Sequence, residues 1–230
     1  MRKCLVLFSG GLSSTVALYW ALERFDEVTL FTADFGNNSA EVKASDAIFR
    51  NEPKLKVHYT KDLDITIDYL KNSYALLAAA DYALTQDLDH IVTGIKQTGN
   101  IETTHPSLVA FENLIKEVSG KQHFTYEHPI YWYGDTQALG LSIAIPGCYN
   151  ALALTHTGTE NEYPPSDTDA AVAQRETTFL TAGIADPLII RAWKDRRMDL
   201  PRSQNYNNFR SGYLRHYEQD LVTFLDNYKG

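Results

Sequence analysis

The chain has 230 residues, of which 44% are apolar and 22% charged, enough to fill the core of one large α/β domain, or of one domain with a tail. Its formal net charge of −8 excludes a general nucleic-acid coat protein, which needs clustered Lys and Arg, but not a small nucleotide site where backbone N–H groups contact phosphate. Two cysteines, Cys4 and Cys148, exclude a disulfide framework and a four-cysteine zinc site; without a signal-peptide pattern or a run of roughly 18 apolar residues, a soluble protein of the reducing cytoplasm is expected.

Residues 4–8, Cys-Leu-Val-Leu-Phe, form a continuous apolar run, as a buried central strand requires. A glycine turn follows, and Val16, Leu18, Tyr19, Trp20 and Leu22 predict a helix from about Ser13. Residues 28–33 read as a second strand that stops at the turn formers Asp34-Phe35-Gly36-Asn37-Asn38. A helix over about 40–49, a strand over 55–59, a long helix over about 67–85 and a strand over 90–94 complete a βαβαβαβ alternation. With right-handed crossovers this predicts an α/β fold, a doubly wound, Rossmann-like parallel sheet.

Beyond Gly94 the pattern loosens. Residues 96–104 are polar and are expected to loop over the carboxyl ends of the strands, followed by a helix near 107–118 and a further strand and connector over 124–132. Asp135 is placed as the N-cap of a helix ending before Pro146. Residues 155–168, rich in Thr, Gly, Glu and Pro, read as an exposed loop held by packing, and a helix over about 169–182 ends at the C′ glycine Gly183. The segment 186–230 carries Arg191, Arg196, Arg197, Arg202, Arg210, Tyr213, Arg215 and Tyr217 and finishes in a helical pattern over 214–225.

The chemistry concentrates in Ser9-Gly10-Gly11-Leu12-Ser13-Ser14-Thr15, between a buried strand and a helix start. Glycines let the backbone approach an anion, the helix start offers unpaired N–H groups, and the hydroxyls of Ser9, Ser13, Ser14 and Thr15 add donors. No Lys follows the second glycine, so this is not a Walker-type loop.

In that context the turn resembles the PP-loop of N-type ATP pyrophosphatases, Ser-Gly-Gly-x-Asp-Ser. Asp34-Phe35-Gly36-Asn37 falls where that family carries Asp-Tyr-Gly-Gln, with Glu41 at a following acidic position. Lys71-Asn72-Ser73 resembles the Arg-Asn pair that opens a long helix in the 7-cyano-7-deazaguanine synthase (QueC-like) branch, and Gly94-Ile95-Lys96 its Gly-Val-Asn. His128-Pro129-Ile130, the stretch 137–146, Gly147-Cys148-Tyr149 and the stretch from Arg175 to Pro187 are similar to its later segments. The resemblance covers residues 1–187 as a PP-loop domain and leaves 188–230 as a helical tail with no counterpart.

Two departures stand out. Ser13 occupies the place of the PP-loop acid, which in the family helps hold magnesium, and Asp169 and Val172 fall where the family places later cysteines of a structural zinc site. The resemblance therefore implies ATP and Mg²⁺ but no zinc. It implies adenylation of a carboxylate, 7-carboxy-7-deazaguanine, with release of pyrophosphate, then displacement of AMP by a nitrogen nucleophile to give an amide, or, with ammonia and a second ATP-driven dehydration, a nitrile. Ser9, Gly10, Gly11, Ser13 and Ser14 are assigned to the pyrophosphate, with Leu12, Thr15 and Gly94 beside them. Asp34 and Gly36 are assigned to the adenosine, and Lys96, Lys71 and Asn72 to phosphate or substrate carboxylate. Ser9, Ser13, Ser14 and Lys96 are the catalytic candidates.

Plainer readings stand beside these. Asp34 starts a turn, Lys96 is solvated, Asn72 caps a helix, Cys148 and the histidines 105, 123 and 128 serve packing or surface, and the Arg/Tyr-rich tail is a solvated cap. Its alternative, on the local positive excess, is a docking surface for a protein or nucleic-acid partner. The shorter, cysteine-poor form also resembles QueC-like proteins of anti-phage (CBASS) operons, which implies a protein amine as the nucleophile. A homodimer is compatible with all of this, and neither a membrane nor a nucleic-acid partner is expected. Two other functions remain: a nucleotide-binding scaffold that has lost the chemistry, as Ser13 suggests, and a tRNA-thiolating or sulfate-activating PP-loop enzyme. The absence of paired cysteines and of a basic face weakens the latter.

Overall fold

The apolar run at the N-terminus becomes the middle of a parallel sheet. The computed structural model describes residues 1–37, 39–64, 70–97, 100–158, 163–164 and 169–228. Among them five strands, β1 (Lys3–Leu7), β2 (Glu27–Asp34), β3 (Val57–Asp62), β4 (His90–Thr93) and β5 (Thr125–Glu127), pair in parallel in the order β3-β2-β1-β4-β5. Val6 sits opposite Leu30 on one side and Val92 on the other. Cys4 and Val6 point into one apolar cluster and Leu5 into the other, so each of these three buried positions needs an apolar side chain.

Helices α1 (Leu12–Leu22) and α2 (Ser39–Asn51) contribute to the first cluster, and α3 (Lys71–Thr85) and α4 (His105–Ser119) to the second. The fold is thus the doubly wound parallel α/β sheet that the alternation predicts. Short helices α5 (Asp135–Ala144) and α6 (Cys148–Ala151) also pack on α1. Its residues Ser14–Tyr19, Ala21 and Leu22 are accordingly buried. A third cluster joins α5 and α6 to α7 (Ala170–Ala182), α8 (Pro187–Lys194), α9 (Asn207–Ser211) and α10 (His216–Asp226) through Leu139, Tyr149, Phe179, Ile190, Phe209 and Leu221.

Three local expectations shift. The third strand starts two residues later and ends three later, taking in Thr60, Lys61 and Asp62, because an edge strand pairs on one side and tolerates polar residues there. The helix expected from 67 is described from Lys71, since residues 65–69 lie outside the described set, as do most of 159–168. Asp135 is the first residue of α5 rather than its cap: Gly134 is the N-cap, and its N–H donates to Gln137 Oε1 at 2.8 Å.

His128, just past β5, has its Nδ1 2.6 Å from Thr93 Oγ1. Burial, aided by His105 and opposed by Glu112, pulls its pKa down to about 4. Between the ordinary 6.5 and that value, the unfolded chain binds a proton that the folded chain refuses, so stability falls as pH drops through the window. The loss is on the order of 3 kcal/mol. Urea midpoints measured at pH 7 and pH 4.5 should separate less for His128→Asn than for the parent chain; an equal separation would remove His128 from the account.

Candidate nucleotide site

The chain steps outward from β1 through β2 to β3, then returns to the other side of β1 for β4 and β5. At that reversal the carboxyl ends of β1 and β4 part, the place where open α/β sheets form a crevice. A cavity of about 720 Å³ occupies it. Ser9, Gly11, Leu12, Ser13 and Ser14 form one wall, Thr93, Gly94, Ile95 and Lys96 a second, and Phe35, Lys71 and Asn72 a third. His156, Thr157 and Gly158 close a lip, and Asn100 and Thr103 also line the space.

The turn is built by close backbone approach. Gly10 has φ +73, and a Cβ there would meet the Glu41 carbonyl oxygen at 2.4 Å, so only glycine lets the turn tuck beneath α2. Gly11 is the N-cap of α1 and supplies no side chain to cap it, which leaves first-turn N–H groups for an anion. Ser14 Oγ donates to Gly11 O at 3.0 Å and accepts from Ser9 Oγ at 3.2 Å, while Thr15 Oγ1 donates to Gly11 O at 2.8 Å. Thr15 is wholly buried and, like Gly10, braces the turn from behind without lining the cavity.

The remaining sequence candidates divide. Asp34 Oδ1 accepts from the Gly36 N–H at 2.7 Å, a local turn; neither residue lines the cavity, whereas their neighbours Ala33 and Phe35 do. Lys71 lays its Nζ 4.7 Å from the centre of the Phe35 ring and 3.4 Å from Asn37 Oδ1. Asn72 lies within α3 and does not cap it; the buried Glu102 does so from a distance, its Oε2 accepting from Ser73 N and Oγ, each at 2.7 Å. Lys96 pairs with Asp135, which also accepts from Gln174 Nε2 at 2.9 Å, and burial lowers the lysine's pKa.

Sequence reasoning missed the lip. Thr155-His156-Thr157-Gly158 belongs to a stretch whose composition is that of any exposed loop, yet Thr155 is buried and the next three residues face the cavity. The available signal was Arg175, inside α7, eleven residues before Asp186 at the start of α8.

The residues present do not fit a thiolate-bound zinc. Cys4 on β1 and Cys148 on α6 are both fully buried, and burial pushes both thiols well above their usual range. Asp169 caps α7, its Oδ1 accepting from Ala171 N at 2.7 Å. Among the described residues no group of three or more His, Cys, Asp or Glu is placed to hold a metal, and no helix is long and apolar enough to cross a membrane.

A parallel sheet whose first strand delivers a glycine turn to an uncapped helix start, beside its switch point, defines a doubly wound α/β protein with that turn on its switch-point crevice. Comparison narrows this. Residues 3–73 match the family model described as "Queuosine biosynthesis protein QueC". The 7-cyano-7-deazaguanine synthase of Laribacter hongkongensis is 30% identical over 223 residues, covering 83% of this chain and 95% of that protein. The enzyme of the same name from Chromobacterium violaceum is 27% identical over 222 residues, covering 83% and 94%. The chain belongs to the 7-cyano-7-deazaguanine synthase family. Among solved structures, a 4-thiouridine synthetase–RNA complex with bound ATP superposes with a TM-score of 0.44 at 17% identity, over 77% of this chain and 49% of that one, too distant to add to the assignment.

Proposed function

We propose that this protein is an ATP-using ligase that transfers AMP to the carboxylate of 7-carboxy-7-deazaguanine, releases pyrophosphate, and lets a nitrogen nucleophile displace AMP to form an amide, which, when the nucleophile is ammonia, a second ATP-driven dehydration would convert to a nitrile. The observation that carries this reading is the convergence of the Ser9–Ser14 turn, Lys71 and Lys96 on one switch-point cavity, in a chain of this family. A free carboxylate resists nucleophilic attack and an acyl-adenylate does not, so the protein's task is positioning and stabilising charge on the phosphates. The first-turn N–H groups of α1, with the Ser9 and Ser13 hydroxyls, would hold the β,γ-phosphates. Ala33 and Phe35 offer an apolar wall for the adenine, which Asp34 and Gly36 shape from behind. Lys96, oriented by Asp135 and partly desolvated, would neutralise phosphate or substrate carboxylate, and Lys71 flanks the same space.

Magnesium fits as a cation carried in by the triphosphate: Glu41 lines the cavity together with the turn serines, and the ion would shield phosphate charge as pyrophosphate leaves.

The test is to incubate the protein with ATP, Mg²⁺ and 7-carboxy-7-deazaguanine, follow AMP and pyrophosphate, and weigh the product by mass spectrometry. AMP that depends on the carboxylate is expected. The product mass then separates amide, nitrile and a conjugate to a protein amine, the last being the finer proposal of an anti-phage role. Nucleotide binding without AMP would instead favour the scaffold reading, whose support is Ser13 in place of an acid. Lys96→Met should lower kcat/KM by roughly a hundredfold; an unchanged value would remove Lys96 from the machinery.

A further inference from the structure

Arg175 lies on α7 outside the cavity lining, yet it is buried and all five of its N–H donors are engaged. Nε and Nη2 form a fork onto Asp186 at 2.6 and 2.7 Å. Nη2 also reaches Leu152 O at 3.2 Å, and Nη1 donates to Thr155 Oγ1 at 2.8 Å and Thr157 Oγ1 at 3.0 Å. Asp186 is fixed in turn, its Oδ1 accepting from Leu188 N at 2.9 Å as the cap of α8.

The acceptors other than Asp186 all sit on the segment that runs from the end of α6 into the cavity lip. Thr155 and Thr157 turn toward the guanidinium. His156, between them, is tied to the phosphate turn: its backbone N–H donates to Gly10 O at 3.0 Å, and its Nε2 donates to Gly158 O at 3.0 Å. The lip is thus clamped between a buried cation and the turn itself. A guanidinium offers five donors in a rigid fork, which can fasten a loop as a set of metal–ligand bonds does, without thiolates.

We infer that Arg175 is a positioning residue for nucleotide binding: it holds residues 155–158 so that His156, Thr157 and Gly158 close the phosphate end of the cavity. The identity of the nucleotide as ATP rests on the function proposed above.

Thr155 separates positioning from direct contact, because it is buried against Arg175 and does not line the cavity. Thr155→Val keeps the shape and the Arg175–Asp186 pair while removing one hydroxyl from the clamp, so it avoids the risk that Arg175→Met simply unfolds. Binding of α,β-methylene-ATP would be measured by calorimetry, alongside steady-state kinetics and thermal melting. Thr155→Val is expected to weaken analogue binding and raise the KM for ATP about tenfold, the scale of one lost buried hydrogen bond, with kcat changed much less. Thr155→Ser, which keeps the hydroxyl, should recover most of the loss, and 1,10-phenanthroline should leave the parent's affinity unchanged. Analogue binding by folded Thr155→Val equal to the parent's overturns the inference even if the parent releases AMP. Analogue binding by the parent without AMP release overturns the proposed reaction while the clamp is still decided by the variant. No binding by the parent overturns both.

Discussion

Gly94→Ala is expected to lower the melting temperature by several degrees and to weaken nucleotide binding at least tenfold. A Cβ at Gly94 would lie 2.5 Å from Ser14 N and 2.6 Å from Ser13 C and Ser14 Cα, all backbone atoms that cannot swing aside as a side-chain tip does. Either the end of β4 slides from its register with β1, where Leu7 pairs with Thr93, or the first turn of α1 lifts. Overpacking of this kind costs about 1–3 kcal/mol, and rigid partners on both sides favour the upper end. The displaced turn is also the one that presents N–H groups to phosphate, so stability and binding should fall together. Gly140→Ala is the control: Gly140 lies in α5 with nothing within 4 Å of an added Cβ, and should gain roughly 0.5–1 kcal/mol from reduced backbone freedom. Melting of Gly94→Ala at or above the parent's temperature would show that β4 and α1 are not in the contact described.

Arg175→Met is the second large effect. It strands the Asp186 carboxylate in a site where both partners' side chains are about 5–6% exposed. Removing one member of a buried pair costs about 3–5 kcal/mol, mostly for leaving the other charge unpaired. The double variant Arg175→Met with Asp186→Asn removes that stranded charge, and its amide oxygen still caps α8. It should therefore be more stable than Arg175→Met alone by about half of the loss, as measured by urea midpoints. A double variant no more stable than the single one would mean that the lost bonds to Leu152, Thr155 and Thr157 dominate, and that the charge pair contributes little.

What could be read from the sequence was what is decided locally. The unbroken apolar run of β1 announces a strand covered on both faces, and the Ser-Gly-Gly turn announces a tight turn into a helix, which lines the cavity. Both follow from neighbouring residues. The parts that escaped depend on partners distant along the chain. Asp135 has the sequence context of a cap, but Gly134 caps α5, and the partly desolvated Lys96 of the cavity wall takes the carboxylate. Asn72 has the context of a cap as well, whereas Glu102 performs that task from the single 3-10 turn Ile101–Thr103. The lip at 155–158 was indistinguishable from an exposed loop, because what orders it is a guanidinium on a later helix and a carbonyl on the first turn. Asp34, matched to the family by position, serves a local turn while its apolar neighbours face the cavity.

The spacing of the Arg175 bonds bears on the order in which the site assembles. Its partners lie only 11 to 23 residues away along the chain, so the clamp closes within one contiguous stretch, at a low cost in loop entropy. The contact between His156 and Gly10, by comparison, joins that stretch to the first turn after β1. The lip is in this sense a piece that can be made separately from the sheet, and the nucleotide cavity acquires its final outline only when that piece seats against the first turn.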